Sequence, residues 1–187
     1  TAAKISTGDN GFGVMGIIGY FPGAGDGASD ISNYHLPIFK ITEDYGQTWH
    51  GPSGDPADAC DFYHVPNDVL DDMVANFPVQ TYVDECGGYE YYIVDYWSYY
   101  DFDFKVDANG NPHILMSVIP SDEEFVFWIE GAGWYHFTID VENLDNPGPV
   151  NSDTGWNYSM VLPMHETWQF NANDGDTFVW QTQASLS

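Results

Sequence analysis

Three stretches of the sequence share one pattern: a short strand, a tight turn rich in Asn, Asp and Gly, and a longer apolar strand. They are residues 4–20, 105–120 and 169–184. The Asn-Gly or Asp-Gly pair at each turn tolerates the positive φ angles that tight hairpins require. The pattern therefore predicts three similar β-hairpins, and a chain built from repeated hairpins is expected to be mostly antiparallel β structure.

A second predicted hairpin follows each of the first two, over residues 36–51 and 124–139. Two successive hairpins make a four-stranded antiparallel sheet. One such sheet cannot cover both of its faces, so the sheets are expected to stack on one another. Only the first hairpin of a third unit is present in the sequence. We therefore expect part of a repeat protein.

Residues 51–100 do not follow this pattern and are predicted to be an insertion between the first two units. Within it, residues 66–77 place several apolar side chains on one face of a helix, with Asn67 as its cap. The predicted divisions are a first unit at 1–50, the insertion at 51–100, a second unit at 101–140, a loop and connecting strand at 141–164, and the first hairpin of a further unit at 165–187.

The chain has two cysteines, Cys60 and Cys86, and both lie in the insertion. A disulfide between them would close a loop and fasten the insertion, which fits an oxidising, extracytoplasmic setting. Two free thiols are the alternative. No paired cysteine motif suggests a zinc site.

The charge of the chain excludes several classes of partner. It has 29 acidic residues against three lysines and no arginine, and its formal net charge is −26. Phosphate backbones and anionic lipid surfaces repel such a chain, so nucleic acid is not an expected partner. The sequence has no run of roughly 18 apolar residues, so membrane insertion is not expected either.

The segment TEDYGQTW, residues 42–49, is predicted to form a self-contained turn. The Thr42 hydroxyl and the Asp44 carboxylate are suited to hydrogen bonds with backbone groups that a tight turn leaves unpaired. Gly46 permits a positive φ angle, and Trp49 covers the turn with a large apolar surface. These roles are structural rather than catalytic.

The same residues match the pattern Ser/Thr-x-Asp-x-Gly-x-x-Trp. The segment thereby resembles the Asp-box, or BNR repeat, of sialidase-like β-propellers, which occur in secreted bacterial surface proteins. The resemblance implies an all-β fold of four-stranded antiparallel propeller blades, here incomplete, with the short helix in an insertion. It also implies an extracellular or cell-surface location in a bacterium. Sialidases hold their substrate with three arginines, so a chain without arginine is not expected to be one.

The expected function is non-catalytic binding or display within a larger secreted or cell-surface protein, either adhesion or recognition of a glycan or protein. The candidate binding surface lies in the aromatic-rich residues 89–104, where exposed rings would suit such a partner. Burial of these rings in the core is the alternative. The candidate residues are Tyr89, Tyr91, Tyr96, Trp97, Tyr99 and Tyr100.

Two other functions stay open. One is a glycoside hydrolase or lyase whose catalytic residues lie partly outside this chain, with Asp101, Asp103, Glu123 and Glu124 as candidate acids. The other is a structural subunit of a surface assembly or filament. Further blades of the same polypeptide, or neighbouring subunits, would then complete its sheets at edge strands 4–9 and 176–184.

Calcium is the one candidate cofactor. Hard cations prefer oxygen ligands, and two turns cluster carboxylate and amide oxygens. Hairpin turn chemistry explains the same residues without a metal. The candidate ligands are Asp107, Asn109, Asn171, Asp174 and Asp176.

Overall fold

The computed structural model describes residues 3–20, 35–58, 61–76, 81–84, 86–122, 126–127 and 129–163. Within these ranges the chain forms two four-stranded antiparallel sheets, one two-stranded sheet and one α-helix. The prediction of a mostly β, antiparallel chain with one helix is confirmed. Neither four-stranded sheet closes on itself within the described part of the chain. The third predicted hairpin, residues 169–184, lies outside that part.

The first sheet is a meander in which each strand pairs with the next along the chain. Its strands are β1 (Lys4–Thr7), β2 (Gly13–Tyr20), β3 (His35–Thr42) and β4 (Tyr63–His64). The Gly8 N–H donates to the Phe12 carbonyl (2.7 Å) and closes the first hairpin turn. The fourth strand comes from residues that the sequence assigned to the insertion.

The rest of the predicted insertion contains α1 (Asn67–Asn76), β5 (Thr81–Val83) and β6 (Glu90–Tyr92). The helix buries one face, through Val69, Leu70 and Met73, as its apolar spacing predicts. Phe77 lies outside the described residues. Among the described residues, no helix is long and apolar enough to span a bilayer.

The predicted disulfide is wrong. Cys86 is a free, exposed cysteine in the turn between β5 and β6, and Cys60 lies outside the described residues. The insertion is fastened by the buried helix face and by hydrogen bonds to the 141–163 segment. The Tyr63 hydroxyl donates to Asp145 (2.7 Å), and the Tyr158 hydroxyl donates to Asp72 (2.8 Å).

The second sheet is also a meander, and its first strand begins inside the predicted insertion. Its strands are β7 (Asp95–Val106), β8 (Pro112–Ser121), β9 (Gly133–Thr138) and β10 (Asn157–Pro163). A short 3₁₀ helix, Val141–Asn143, follows β9. The fourth strand occupies part of the segment predicted as a loop and connecting strand.

The first hairpins of the two sheets have the same register. Residues of the second carry numbers 99 higher than their counterparts, so that Gly110 corresponds to Gly11, with φ angles of 96° and 92°. The two turns lie side by side, since Asn10 Nδ2 donates to the Ala108 carbonyl (3.0 Å). The repeat inferred from the sequence is therefore present as two equivalent, adjacent hairpins.

The core lies between the two sheets, which pack face to face. The Phe39 ring is central, with centroids 5.6 Å from Tyr63, 5.6 Å from Phe104 and 6.4 Å from Trp156. Gly16 lets the sheets approach closely, because a Cβ at that position would lie 2.6 Å from the Phe104 ring. One continuous core thus joins both sheets and the helix.

Candidate functional site

The β5–β6 hairpin has one face anchored to the body of the protein. The alternation of side chains puts Tyr82 and Tyr91, which pair across the strands, on the same face. Their ring centroids lie 6.2 Å apart. The centroid of the buried Phe127 ring lies 5.2 Å from that of Tyr82 and 5.1 Å from that of Tyr91. This three-ring cluster holds the hairpin in place.

The opposite face of the hairpin is open to solvent. Val83 and Tyr92 alternate with the anchored rings, and the Tyr92 side chain is 59% exposed. Thr81 and Glu90 share this face, and the Tyr92 hydroxyl donates to Glu90 (3.4 Å). Tyr89 in the turn, on the side of Tyr91 by alternation, and Val94 beyond β6 are exposed as well. We call these four residues, Val83, Tyr89, Tyr92 and Val94, the hairpin surface. It combines two aromatic rings and two aliphatic side chains on an anchored support.

The turn of this hairpin is held by Asp84. Its N–H donates to the Tyr89 carbonyl (2.8 Å), while its carboxylate accepts from the N–H groups of Cys86 (3.0 Å) and Gly87 (2.9 Å). Gly88 adopts a φ of 70°, a conformation that favours glycine. The turn that carries Tyr89 is therefore closed by its own backbone and one carboxylate.

Of the six aromatic residues predicted as a binding surface, the four whose side chains the structure describes do not lie together. Tyr89 belongs to the hairpin surface, and Tyr91 lies beneath it. The prediction is wrong for Tyr96, which is 1% exposed because it lies in the core beside Tyr135. Trp97 is partly buried. The side chains of Tyr99 and Tyr100 lie outside the described residues.

Sequence reasoning missed three members of the hairpin surface, Val83, Tyr92 and Val94. A signal was available, because Gly87-Gly88 separates two short runs rich in Tyr and Val, which is typical of a hairpin. The alternation within those runs separates the anchored rings from the exposed ones. What the runs do not show is which of the two faces meets Phe127.

The predicted Asp-box residues lie in one turn between β3 and β4. The buried Thr42 hydroxyl donates to Asp44 Oδ1 (2.8 Å) and accepts from the Gly46 N–H (3.0 Å). The Asp44 carboxylate also accepts from the Thr48 N–H (2.8 Å) and the Thr48 hydroxyl (2.7 Å). These hydrogen bonds lower the pKa of Asp44 to about 2, and the bond from the Thr48 N–H has the largest effect.

The rest of the turn is equally self-contained. Gly46 has a φ of 82°, and Trp49 Nε1 donates to the Gly46 carbonyl (3.2 Å). Ile41 and His50 exchange two backbone hydrogen bonds of 3.0 Å at its base. The Tyr45 N–H donates to the Gly11 carbonyl (3.0 Å) and ties the turn to the first hairpin. These hydrogen bonds close the turn on itself and connect it to the turn of the β1–β2 hairpin.

The proposed calcium ligands are only partly described. The Asp107 carboxylate accepts from the N–H groups of Asn109 (2.8 Å) and Asn111 (2.9 Å) and closes its own turn. Burial acts to raise the pKa of Asp107, but these hydrogen bonds outweigh it and lower the pKa. The other candidates, Asn171, Asp174 and Asp176, lie outside the described residues.

Within the described ranges, no three side chains of His, Cys, Asp or Glu are grouped so that they could hold a metal ion. The one described candidate turn, at Asp107 and Asn109, is explained by hairpin chemistry. A role for calcium therefore stays a prediction.

Two histidines on the outer face of the second sheet form a pair that sequence reasoning missed. His113 Nδ1 lies 2.8 Å from His136 Nε2, and the rings are 3° from parallel with centroids 5.0 Å apart. That geometry places the rings end to end, with one N–H between them. Burial, and then the charge of His113, lower the pKa of His136.

Comparison with protein-family models and with curated proteins finds no match for this chain, and neither does comparison with solved structures. The resemblance to Asp-box proteins therefore rests on residues 42–49 and on the repeated hairpins. The functional argument depends on the surfaces described above.

Proposed function

We propose that the chain is a non-catalytic binding or display module of a secreted or cell-surface bacterial protein. Its contact surface is the hairpin surface, and its partner is a protein or a glycan. The observation that carries the proposal is the exposure of two tyrosines and two valines on an anchored hairpin. Large exposed apolar side chains grouped on one small element are the kind of feature that interaction sites use.

The construction of the hairpin suits binding. Tyrosine offers a large contact area with few rotatable bonds and a hydroxyl that hydrogen-bonds at the rim. Because Tyr82 and Tyr91 are already packed on Phe127, little ordering of the hairpin is needed when a partner arrives. A smaller entropy loss leaves more of the contact energy as affinity.

The net charge restricts the partner. A chain of formal charge −26 repels anionic ligands and attracts basic protein surfaces. Neutral glycans are indifferent to that charge and stack on exposed aromatic rings. Basic proteins and neutral glycans are therefore the two partner classes that the proposal includes.

We also propose that the two sheets are blades of the β-propeller type. Three observations support this: both sheets are four-stranded meanders, they pack face to face, and their first hairpins share one register. The Thr42–Trp49 turn lies between the third and fourth strands of the first sheet, which is where the resemblance would put an Asp-box. The secreted or cell-surface location follows from the same resemblance.

The alternative of a glycoside hydrolase has less support. That chemistry needs two carboxylates facing each other across a substrate groove. Asp101 and Asp103 are two residues apart on β7, and Asp103 pairs with Lys4 (3.9 Å). Burial raises the pKa of Asp101, against the charge of Lys4. Glu123 and Glu124 lie outside the described residues.

The test is binding to a panel of immobilised neutral glycans and basic proteins. We expect the wild-type chain to bind at least one member, and Tyr89→Ala/Tyr92→Ala to bind it at least about tenfold more weakly, as loss of central aromatic contacts does. Tyr45→Ala removes another exposed tyrosine, at the Asp-box turn, and is the matched control. Unchanged binding by the double variant, equal loss in the control, or no binding to any member contradicts the proposal.

A further inference from the structure

The His113–His136 pair lies on strands whose other face is buried in the core. His113 is on β8 and His136 on β9, at diagonal positions of the two paired strands. On the opposite face Ile114 pairs with Phe137, and both of these side chains are fully buried. The backbone positions that carry the two imidazoles are therefore fixed by the packing of the sheets.

The facing ring nitrogens of the pair have the spacing of two metal ligands. His113 Nδ1 and His136 Nε2 lie 2.8 Å apart, in rings that are 3° from parallel. Two nitrogens bound to one metal ion at about 2.0–2.1 Å lie roughly 2.8–3.4 Å apart for ligand angles of about 90–109°. The observed separation corresponds to the square-planar end of that range.

The surroundings of the pair admit and attract a cation. Both side chains are half-buried, and that of His113 is 28% exposed, so that an ion can reach them from solvent. Lys105 pairs with His113 and opposes a cation, but Asp103 and Asp107 lie two residues to either side of it on the chain. The formal charge of −26 adds a general attraction for cations.

Asp107 gives the pair a further feature of metal sites. Its Oδ2 lies 3.7 Å from His113 Nε2, the ring nitrogen that does not face His136. A metal-binding histidine commonly has a carboxylate on the side of its second nitrogen, which fixes the tautomer and strengthens the other nitrogen as a ligand. Although 3.7 Å exceeds a hydrogen bond, the charge of Asp107 favours a proton on Nε2 and leaves Nδ1 as the ligand. Asp107 is thus a positioning residue.

We propose that His113 Nδ1 and His136 Nε2 bind one divalent transition-metal ion of the Cu²⁺ and Ni²⁺ class. Imidazole suits these ions, whereas Ca²⁺ and Mg²⁺ prefer oxygen ligands. Water completes the coordination, because in the described part of the chain no third His, Cys, Asp or Glu side chain is grouped with the pair as a ligand. The site does not depend on the proposed function.

Binding requires one rearrangement within the pair. The N–H between the two rings gives way to the ion, and its proton moves to the other nitrogen of the same ring, so that both imidazoles stay neutral. Rotation of the rings about their side-chain bonds turns both nitrogens toward the ion while the strands keep their places. A hydrogen bond between the imidazoles that never gives way to a metal is the alternative that the test must separate.

The experiment is isothermal titration calorimetry of the chain with NiCl₂, in excess Mg²⁺ to occupy the acidic surface. Accessible thiols are alkylated first, so that the exposed Cys86 does not bind the ion. We expect one strong Ni²⁺ site per chain. His136→Gln and His113→Gln each remove one ligand and are expected to weaken Ni²⁺ binding at least about tenfold. Circular dichroism checks that each variant is folded.

His50→Gln is the matched control, because His50 is also half-buried but lies in the first sheet, where its ring contacts the Gly51 carbonyl. It is expected to bind Ni²⁺ as the wild type does. The proposal is overturned if the wild type binds no Ni²⁺ in excess Mg²⁺, or if Ca²⁺ displaces Ni²⁺ as effectively as Cu²⁺ does. A folded pair variant that keeps the wild-type affinity, or an equal loss in the control, also overturns it.

A second measurement locates the ion without any substitution. Paramagnetic Ni²⁺ broadens the NMR signals of the side chains that bind it, and in the wild type we expect the ring signals of His113 and His136 to broaden first. Broadening that begins at other residues and spares this pair would place the ion elsewhere and contradict the proposal.

Discussion

The two four-stranded sheets have equivalent first hairpins but pack against each other through opposite faces of them, and in the second hairpin the other face is also buried at Leu115 and Ser117. In the second sheet, the face with Phe104, Ile114 and Met116 packs against the first sheet. In the first sheet, the corresponding face, with Ile5 and Ile17, is exposed. The same local structure therefore has two different energetic roles, and the neighbouring sheet decides which face is part of the core.

The sharpest test of this difference is truncation at equivalent positions. Phe104→Ala is expected to lower the free energy of unfolding by about 3–5 kcal/mol, since it leaves a cavity beside the Phe39 ring. Ile5→Ala, at the counterpart position, is expected to change it by less than about 0.5 kcal/mol. Urea unfolding at low protein concentration measures both without a contribution from association. Similar losses of unfolding free energy in the two variants would contradict the difference in burial between the two faces.

A second test addresses how closely the sheets approach each other. In Gly16→Ala the new methyl would lie 2.6 Å from the Phe104 ring of the second sheet, and 2.5 Å from the Ile38 carbonyl oxygen and 2.8 Å from Phe39 Cβ of its own sheet. Overpacking of this kind is expected to cost about 1–3 kcal/mol of stability. Gly19→Ala is the control on the same strand, because its nearest neighbour would lie 3.7 Å away. Urea unfolding that finds equal stability for the two variants would contradict close packing at Gly16.

The turns between the third and fourth strands of the two sheets also differ. In the first sheet, hydrogen bonds of the Thr42 and Asp44 side chains close this turn. Thr42→Val keeps the shape but leaves the Gly46 N–H without its acceptor, which is expected to cost about 1–3 kcal/mol. Thr42→Ser retains the hydroxyl and is expected to lose less. Thermal unfolding compares them, and a Val variant as stable as the Ser variant would mean that these bonds contribute little.

The smallest expected effect concerns the His113–His136 pair on the second sheet. Burial lowers the pKa of His136 below its ordinary value of 6.5, so folding favours its neutral form. Its contribution to stability is therefore present above about pH 6.5 and is lost as the pH falls through the lowered pKa. His64, whose pKa burial also lowers, acts in the same direction.

We expect the melting temperature of the wild type to fall between pH 7 and pH 5. His136→Gln, which cannot take up this proton, is expected to show a smaller fall over the same interval. Differential scanning calorimetry at the two pH values measures the difference. An equal fall in the variant would mean that the histidine pair does not contribute to the pH dependence.

The sequence determined the local structure of this protein. Its Asn-Gly turns predict the hairpins at Gly11 and Gly110, and the apolar spacing after Asn67 predicts the helix, because turn and helix signals involve residues close together in the chain. The hydrogen bonds within residues 42–49 are local in the same sense. These features follow from short-range chemistry.

Only the tertiary structure decided which surfaces are buried. Alternation along a strand defines two faces but does not say which one meets a neighbour. For that reason Tyr96 was predicted at a surface and lies in the core, while Tyr92 was missed and is exposed. The exposure of Cys86 and the contact between His113 and His136 were likewise decided by packing and not by the local sequence. Spatial partners come from distant parts of the chain, and packing between the sheets selects them.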